Sequence, residues 1–250
     1  MNRIEQILGY VPCIIFDDGH GENTSGKQTP TFSDGTSIKE NCFNKPVTNM
    51  MMEIAIEMGF EVFHDSPEDN DVSLKVRTDR ANMKFAQLKK KYPNIAPEKL
   101  AILISTHFNA QDDSWGGTTG GIETYFYPGS KSGERLASCI QKYLIQGTPQ
   151  RNRGVKSANF HMLRESHMPA ALIENGFMDH EIEAKLMVSR DYQAEVASET
   201  MKGICDYFGV PYELPQKQAA KEIDYSKLLG FIAEIETAAA KIKKEIGGMQ

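Results

Sequence analysis

Apolar residues fall along this chain in short unbroken runs that alternate with stretches of helical period, the order expected of an α/β domain with a largely parallel sheet. Residues 11–16 form the first strand candidate, and the run continues directly into a turn, "CIIFDDGHGENTSGKQTP". Met51, Ile54, Ala55 and Met58 recur at intervals of three or four, which predicts a helix ahead of the strand candidate "GFEVFH" (residues 59–64). A helix over residues 73–91 would turn Leu74, Ala81, Phe85 and Leu88 inward and stop at Pro93. "LAILIS" (100–105) reads as a buried strand, and "GIETYFYP" (121–128) alternates as a half-exposed one does. A helix over 132–145, a strand over 170–174 and a helix over 191–208 complete the pattern. Residues 23–35 and 109–121 are rich in turn formers and read as surface loops.

A tail stands apart from this domain. Residues 1–209 read as the domain itself and residues 210–225 as a linker. Residues 226–247 form an amphipathic helix with Leu228, Ile232, Ile235, Ala239, Ile242 and Ile246 in four-three alternation. That seam suits either packing on its own domain or self-association into a homo-oligomer.

Composition narrows the function. With 250 residues, 40% of them hydrophobic, the chain is long enough to bury a full core, so a metal here would serve chemistry rather than hold the fold together. A net charge of −6 without a basic stripe argues against nucleic acid and against an anionic membrane surface. No run is long enough for stable membrane insertion. Cys13, Cys42, Cys139 and Cys205 form no CxxC pair and read as reduced core cysteines. The first residues lack the pattern of a signal peptide, so synthesis in the cytoplasm is expected.

The chemistry-bearing residues gather at strand ends. His20 lies just past the first strand, His107 just past the strand at 100–105, and Glu174 closes the strand at 170–174. In open parallel sheets ligands bind beyond the carboxyl ends of the strands, which makes these two imidazoles and one carboxylate plausible neighbours. Two histidines and a carboxylate are a common ligand set for catalytic zinc, with a further carboxylate to move protons. Composition does not choose that second acid among 34 Asp and Glu residues. His64, His161, His167 and His180 have no evident partner and read as structural or surface histidines.

Several segments together carry a family resemblance. "IIFDDGHG", "VSLKVRTDRAN", "LISTHFNA", "GGIETYFYP" and "RNRGVKSANFHMLRESHMPAALIENGF" occur in the order and spacing of the zinc-dependent N-acetylmuramoyl-L-alanine amidases of the type-3 amidase family. The resemblance spans about residues 11–208. It implies a mixed sheet flanked by helices and one zinc ion. The substrate would be peptidoglycan, cut between the lactyl group of muramic acid and the first L-alanine of the stem. It also implies metal ligands at His20, Glu40 and His107 and a catalytic acid/base at Glu174, with Glu40 lying in "SIKENCF". Substrate contacts are not assigned by it.

This chain departs from the family in two places. Its first turn reads "DDGHG", where many members have a proline before the glycine and histidine. Pro46 follows Glu40 by six residues, so the helix that Glu40 should open either starts near Pro46 or bends there. Trp115 is placed either to stack on substrate or to anchor its loop, and Arg153 either to meet a stem-peptide carboxylate or to hold a loop. A wall-cutting enzyme without a leader suggests a phage or prophage endolysin. A carboxypeptidase-like zinc peptidase and a non-enzymatic wall-binding module are the alternatives.

Overall fold

The computed structural model describes residues 2–116, 118–148 and 150–214. The predicted helix over 226–247 lies outside the described residues, as does the predicted linker beyond residue 214.

The described chain runs α1 (Arg3–Leu8), β1 (Cys13–Asp17), α2 (Asn41–Met58), β2 (Glu61–His64), α3 (Leu74–Lys91), α4 (Pro97–Leu100) and β3 (Ala101–Asn109). It continues through β4 (Ile122–Phe126), α5 (Lys131–Leu144), β5 (Asn152–Ser157), α6 (His161–Arg164), β6 (Ala170–Phe177), α7 (Glu181–Leu186) and α8 (Arg190–Phe208). Six strands form one sheet in the order β2-β1-β3-β6-β4-β5. β4 runs antiparallel to β6, and the other neighbours pair parallel, so the sheet is mixed but mostly parallel, as the sequence implied.

The two-residue period of a strand divides the core. Ile14, Phe16, Ile102, Ile104 and Ile173 point to one face, where they pack with residues of α2, α5 and α8 such as Phe43, Ile140 and Val196. Cys13, Ile15, Leu103 and Leu172 point to the other, against Ala81, Phe85 and Leu88 of α3 and Met162 of α6. β1 is buried along its whole length, which is why it reads as an unbroken apolar run.

Two expectations, at Leu74 and Cys42, are corrected, one alternative for the start of α2 is excluded, and one strand is added. α2 starts at Asn41 and continues through Pro46. Proline brings no N–H for the carbonyl of Cys42, and Gln193 Nε2 donates to that carbonyl instead at 3.2 Å, replacing the missing helical bond. On α3, Leu74 is 50% exposed, and the inward position one turn later belongs to Arg77, a fully buried cation. Cys42 is exposed, not a core residue, because it lies on the outer side of the first turn of α2. Finally, β5 was not anticipated: "NRGVKS" is an edge strand whose residues are at most half-buried, so it shows no apolar period.

Candidate metal centre and active site

The site lies at the carboxyl ends of the central strands and follows from their register. His107 of β3 is paired with Glu174 of β6, and Glu174 is paired on its other side with Glu123 of β4. Directly paired residues share a face. The three therefore form a row across three adjacent strands, on the face whose apolar residues are Leu103 and Leu172.

His20 comes from the turn after β1, which only glycine permits. Gly19 has φ +69°, and a Cβ there would sit 2.6 Å from Asn44 Nδ2 and 2.9 Å from His107 Cε1. A Cβ on Gly21 would fall 2.1 Å from the backbone nitrogen of Asp71. The turn is thus pressed against both β3 and the 70–71 segment, and His20 is held between the two contacts. Asn41 Nδ2 fixes its carbonyl at 2.6 Å.

Glu40 immediately precedes α2, and its side chain makes no capping bond to the backbone of that helix. Its carboxylate turns to the histidines instead. Oε1 lies 3.0 Å from His107 Nδ1, and Oε2 lies 3.4 Å from His20 Nε2. The backbone N–H of Phe108 and Nδ2 of Asn44 also donate to Oε1, at 3.1 and 3.0 Å. The helix N-terminus favours a carboxylate at this position.

One ligand atom from each of His20, Glu40 and His107 lies within 4.8 Å of the others, and the two imidazoles meet edge to face with ring centres 5.1 Å apart. Two imidazoles and a carboxylate converging on one point fit a catalytic zinc site, which takes three protein ligands and leaves a position open. Glu174 lines the same cavity of about 200 Å³ without joining the three. Its Oε2 is buried with no hydrogen-bond partner.

The electrostatics separate the two carboxylates. Burial pushes Glu40 up, but the hydrogen bond and charge of His107, with His20 and Asn44, outweigh it and hold the carboxyl at about 2. Burial would lower His107, yet Glu40 carries it up to about 9. His20 is brought down to about 4 by burial, against the pull of Glu40. Glu174 is raised to about 8 by burial, with Glu40 and Glu123 adding to the effect and His107 opposing it. One carboxylate is thus a fixed anion, while the other is poised near neutrality.

Behind His107 stands a chain of groups that sequence reasoning did not single out. His107 Nε2 is 3.1 Å from Ser105 Oγ, and Ser105 donates to Asp17. Asp17 in turn accepts from the buried Arg77 at 2.5 Å. With the Ser105 proton committed to Asp17, Ser105 Oγ accepts from Nε2–H, which leaves Nδ1 facing Glu40 and the convergence point. The signal was the strand period: Asp17, Ser105 and His107 follow Ile15 and Leu103 on the same face.

The remaining candidates lie elsewhere. His64 Nε2 is 3.5 Å from Asp18, His161 Nε2 is 3.2 Å from Thr78 Oγ1, His167 is exposed, and His180 Nδ1 accepts from the Glu183 N–H that opens α7. Trp115 donates to the Thr31 carbonyl at 2.7 Å and tilts against Phe32 with ring centres 4.7 Å apart, so it ties two site loops together. Arg153 sits on β5, with its Nε 2.8 Å from Glu123.

Known proteins resemble this chain in sequence and fold. A Bacillus subtilis (strain 168) protein, YqiI, is 30% identical over 198 residues, covering 78% of this chain and 84% of its own length. The N-acetylmuramoyl-L-alanine amidase CwlM of Bacillus licheniformis is 29% identical over 198 residues, covering 79% of this chain and 69% of its own. The crystal structure of an N-acetylmuramoyl-L-alanine amidase from Clostridium difficile 630 superposes with a TM-score of 0.66 at 27% identity, over 80% of this chain and 97% of that one. With residues 14–206 matching the N-acetylmuramoyl-L-alanine amidase family as a whole, this chain belongs to that family of peptidoglycan hydrolases.

Proposed function

We propose that this amidase cleaves the bond between the lactyl carbonyl of N-acetylmuramic acid and the stem L-alanine. In this reading one zinc ion is held by His20, Glu40 and His107, and Glu174 is the acid/base. The observation that carries the proposal is the convergence of those three ligand atoms within 4.8 Å beside a buried carboxylate oxygen that has no partner. When bound, zinc supplies Lewis acidity to the scissile carbonyl and brings the pKa of a water down to about 7.

The protein's own groups do the rest. Glu40, kept ionised by its neighbours, supplies the one negative charge of the ligand set. Ser105 and Asp17 hold the His107 ring in place from behind. Glu174, pushed up to about 8, is a strong enough base to take a proton from the attacking water on Oε2 and acidic enough to pass it to the leaving nitrogen of L-alanine. No described helix is long and apolar enough to cross a membrane.

Mass spectrometry of purified peptidoglycan digested with the protein tests the reading. The expected products are intact stem peptides with free L-alanine amino termini, lost with a chelator and restored by added zinc. Release of a terminal amino acid would mark a carboxypeptidase, and turnover insensitive to chelation would remove zinc from the mechanism.

A further inference from the structure

The row that carries His107 and Glu174 continues onto β4 and β5 with a second charged cluster. Glu123, 1% exposed, stands directly beside Glu174 and is matched on its other side with Gly154. Its carboxylate accepts four side-chain bonds: from Asn109 at 2.9 Å, from Tyr125 at 2.7 Å, from Arg153 Nε at 2.8 Å and from Lys156. Two cations thus share one buried anion, leaving the cluster with one positive charge in excess.

Arg153 is held in an unusual way. Its Nε is committed to Glu123, and the face of its guanidinium lies over the Phe177 ring at 4.8 Å. Both Nη groups are left without a hydrogen-bond partner among the described residues. A guanidinium fixed at one edge and one face, with its outer fork unengaged, is organised in advance for a planar, two-oxygen anion. Glu174 lines the cavity of the candidate site and is paired with Glu123, so Arg153 reaches the edge of that site through Glu123.

We propose that Arg153, supported by Lys156, binds the carboxylate of the stem residue that follows L-alanine and so sets a preference for walls in which that carboxylate is free. This inference rests on the amidase reading. On the glycan side the muramoyl carboxyl is consumed in the scissile amide, so the first free carboxylate along the substrate lies on the peptide side. Two residues of extended chain place it about 7 Å from the scissile nitrogen. Glu174 and Glu123 stand on neighbouring strands, about 4.8 Å apart, with the guanidinium just beyond, which matches that reach. Glu123 serves as the positioning residue.

The test uses the full chain loaded with zinc and two soluble substrates in which the γ-carboxyl is consumed in a peptide bond, muramoyl-L-alanyl-γ-D-glutamyl-L-lysine and its α-amide, muramoyl-L-alanyl-D-isoglutaminyl-L-lysine. The wild-type protein should prefer the acid in kcat/KM by about tenfold to a hundredfold, the range of a charge-assisted pair. In R153Q the two substrates should converge, with the loss on the acid carried by KM. Equal rates on both substrates in the wild type would overturn the proposal whether or not the variant folds. So would an R153Q protein that slows both alike, since that is the signature of a purely structural role. If the wild type cleaves neither substrate but trims terminal amino acids from peptidoglycan, the amidase reading falls first and this inference with it.

Discussion

The two faces of β3 and β6 are made from the same residues in alternation, yet they end differently. On the face covered by α2, α5 and α8, Ile102, Ile104 and Phe108 of β3 and Ala171 and Ile173 of β6 are apolar, and the polar residues among them, Thr106 and Asn175, are uncharged and buried. On the face covered by α3 and α6, Leu103 gives way to Ser105 and His107, Leu172 gives way to Glu174, and Ile15 to Asp17. One face carries no charge on either strand and serves packing. The other serves packing only as far as the middle of the strands and is then given over to charge, which the neighbouring groups must satisfy.

Substitutions one residue apart should separate these roles, and the largest effects fall on the polar face. His107→Ala should lose zinc altogether, with activity at background. Glu174→Gln should keep zinc while kcat falls by about 10²- to 10⁴-fold, the usual contribution of a general acid/base. Ile173→Ala, adjacent to Glu174 but on the apolar face, should destabilise by about 2–5 kcal/mol and leave the metal content unchanged. Elemental analysis of the purified variants, together with thermal melts, reads all three. Zinc loss in Ile173→Ala comparable to that in His107→Ala would mean that the faces are not separable.

A smaller effect is expected one step back from the proposed zinc site. Ser105→Ala removes the acceptor for His107 Nε2 and a donor to Asp17, without touching a ligand. Zinc affinity, measured by competition with a chromophoric chelator, should fall by about tenfold to a hundredfold. An unchanged affinity would show that the ring is oriented by Glu40 alone.

The same comparison explains what could be read from the sequence. The apolar face was legible because its residues are individually informative: the runs in β1, β3 and β6 gave the strands, and the period of α3 gave Phe85 and Leu88. His20, His107 and Glu174 were legible because each lies at or just past the end of an apolar run. Ser105 and Asp17 keep the strand period of Leu103 and Ile15, but a serine, an aspartate and an arginine are common surface residues, and it is the fold that buries these two together with Arg77. Arg77 defeated the helical reading outright, since the period gave Leu74 the inward place. Glu40 precedes its helix with no apolar pattern to mark it, so only the family resemblance pointed to it. β5 was missed because an edge strand with Arg153 and Lys156 turned toward Glu123 carries no apolar alternation.

The smallest effect tests how far the polar face is balanced behind the metal centre. Asp17, Asp18 and Asp65 lie around the buried cation Arg77, which bonds Asp17 at 2.5 Å and lies 3.5 Å from Asp18. Asp65 is fully buried with neither carboxylate oxygen partnered. Burial, with the charge of Asp17 beside it and against the opposing Arg77, raises its pKa well above the usual carboxylate range. The folded protein therefore keeps a proton that the unfolded chain releases, and stability should decline as pH rises above that range. Asp65→Asn removes the titration while keeping the shape. Its melting temperature should match the wild type near pH 4 and exceed it by a few degrees at pH 8, about 1 kcal/mol in a chain of this size. A variant less stable than the wild type at pH 8 would mean that Asp65 is ionised and paired in the folded protein, and that the face carries one more charge than its contacts suggest.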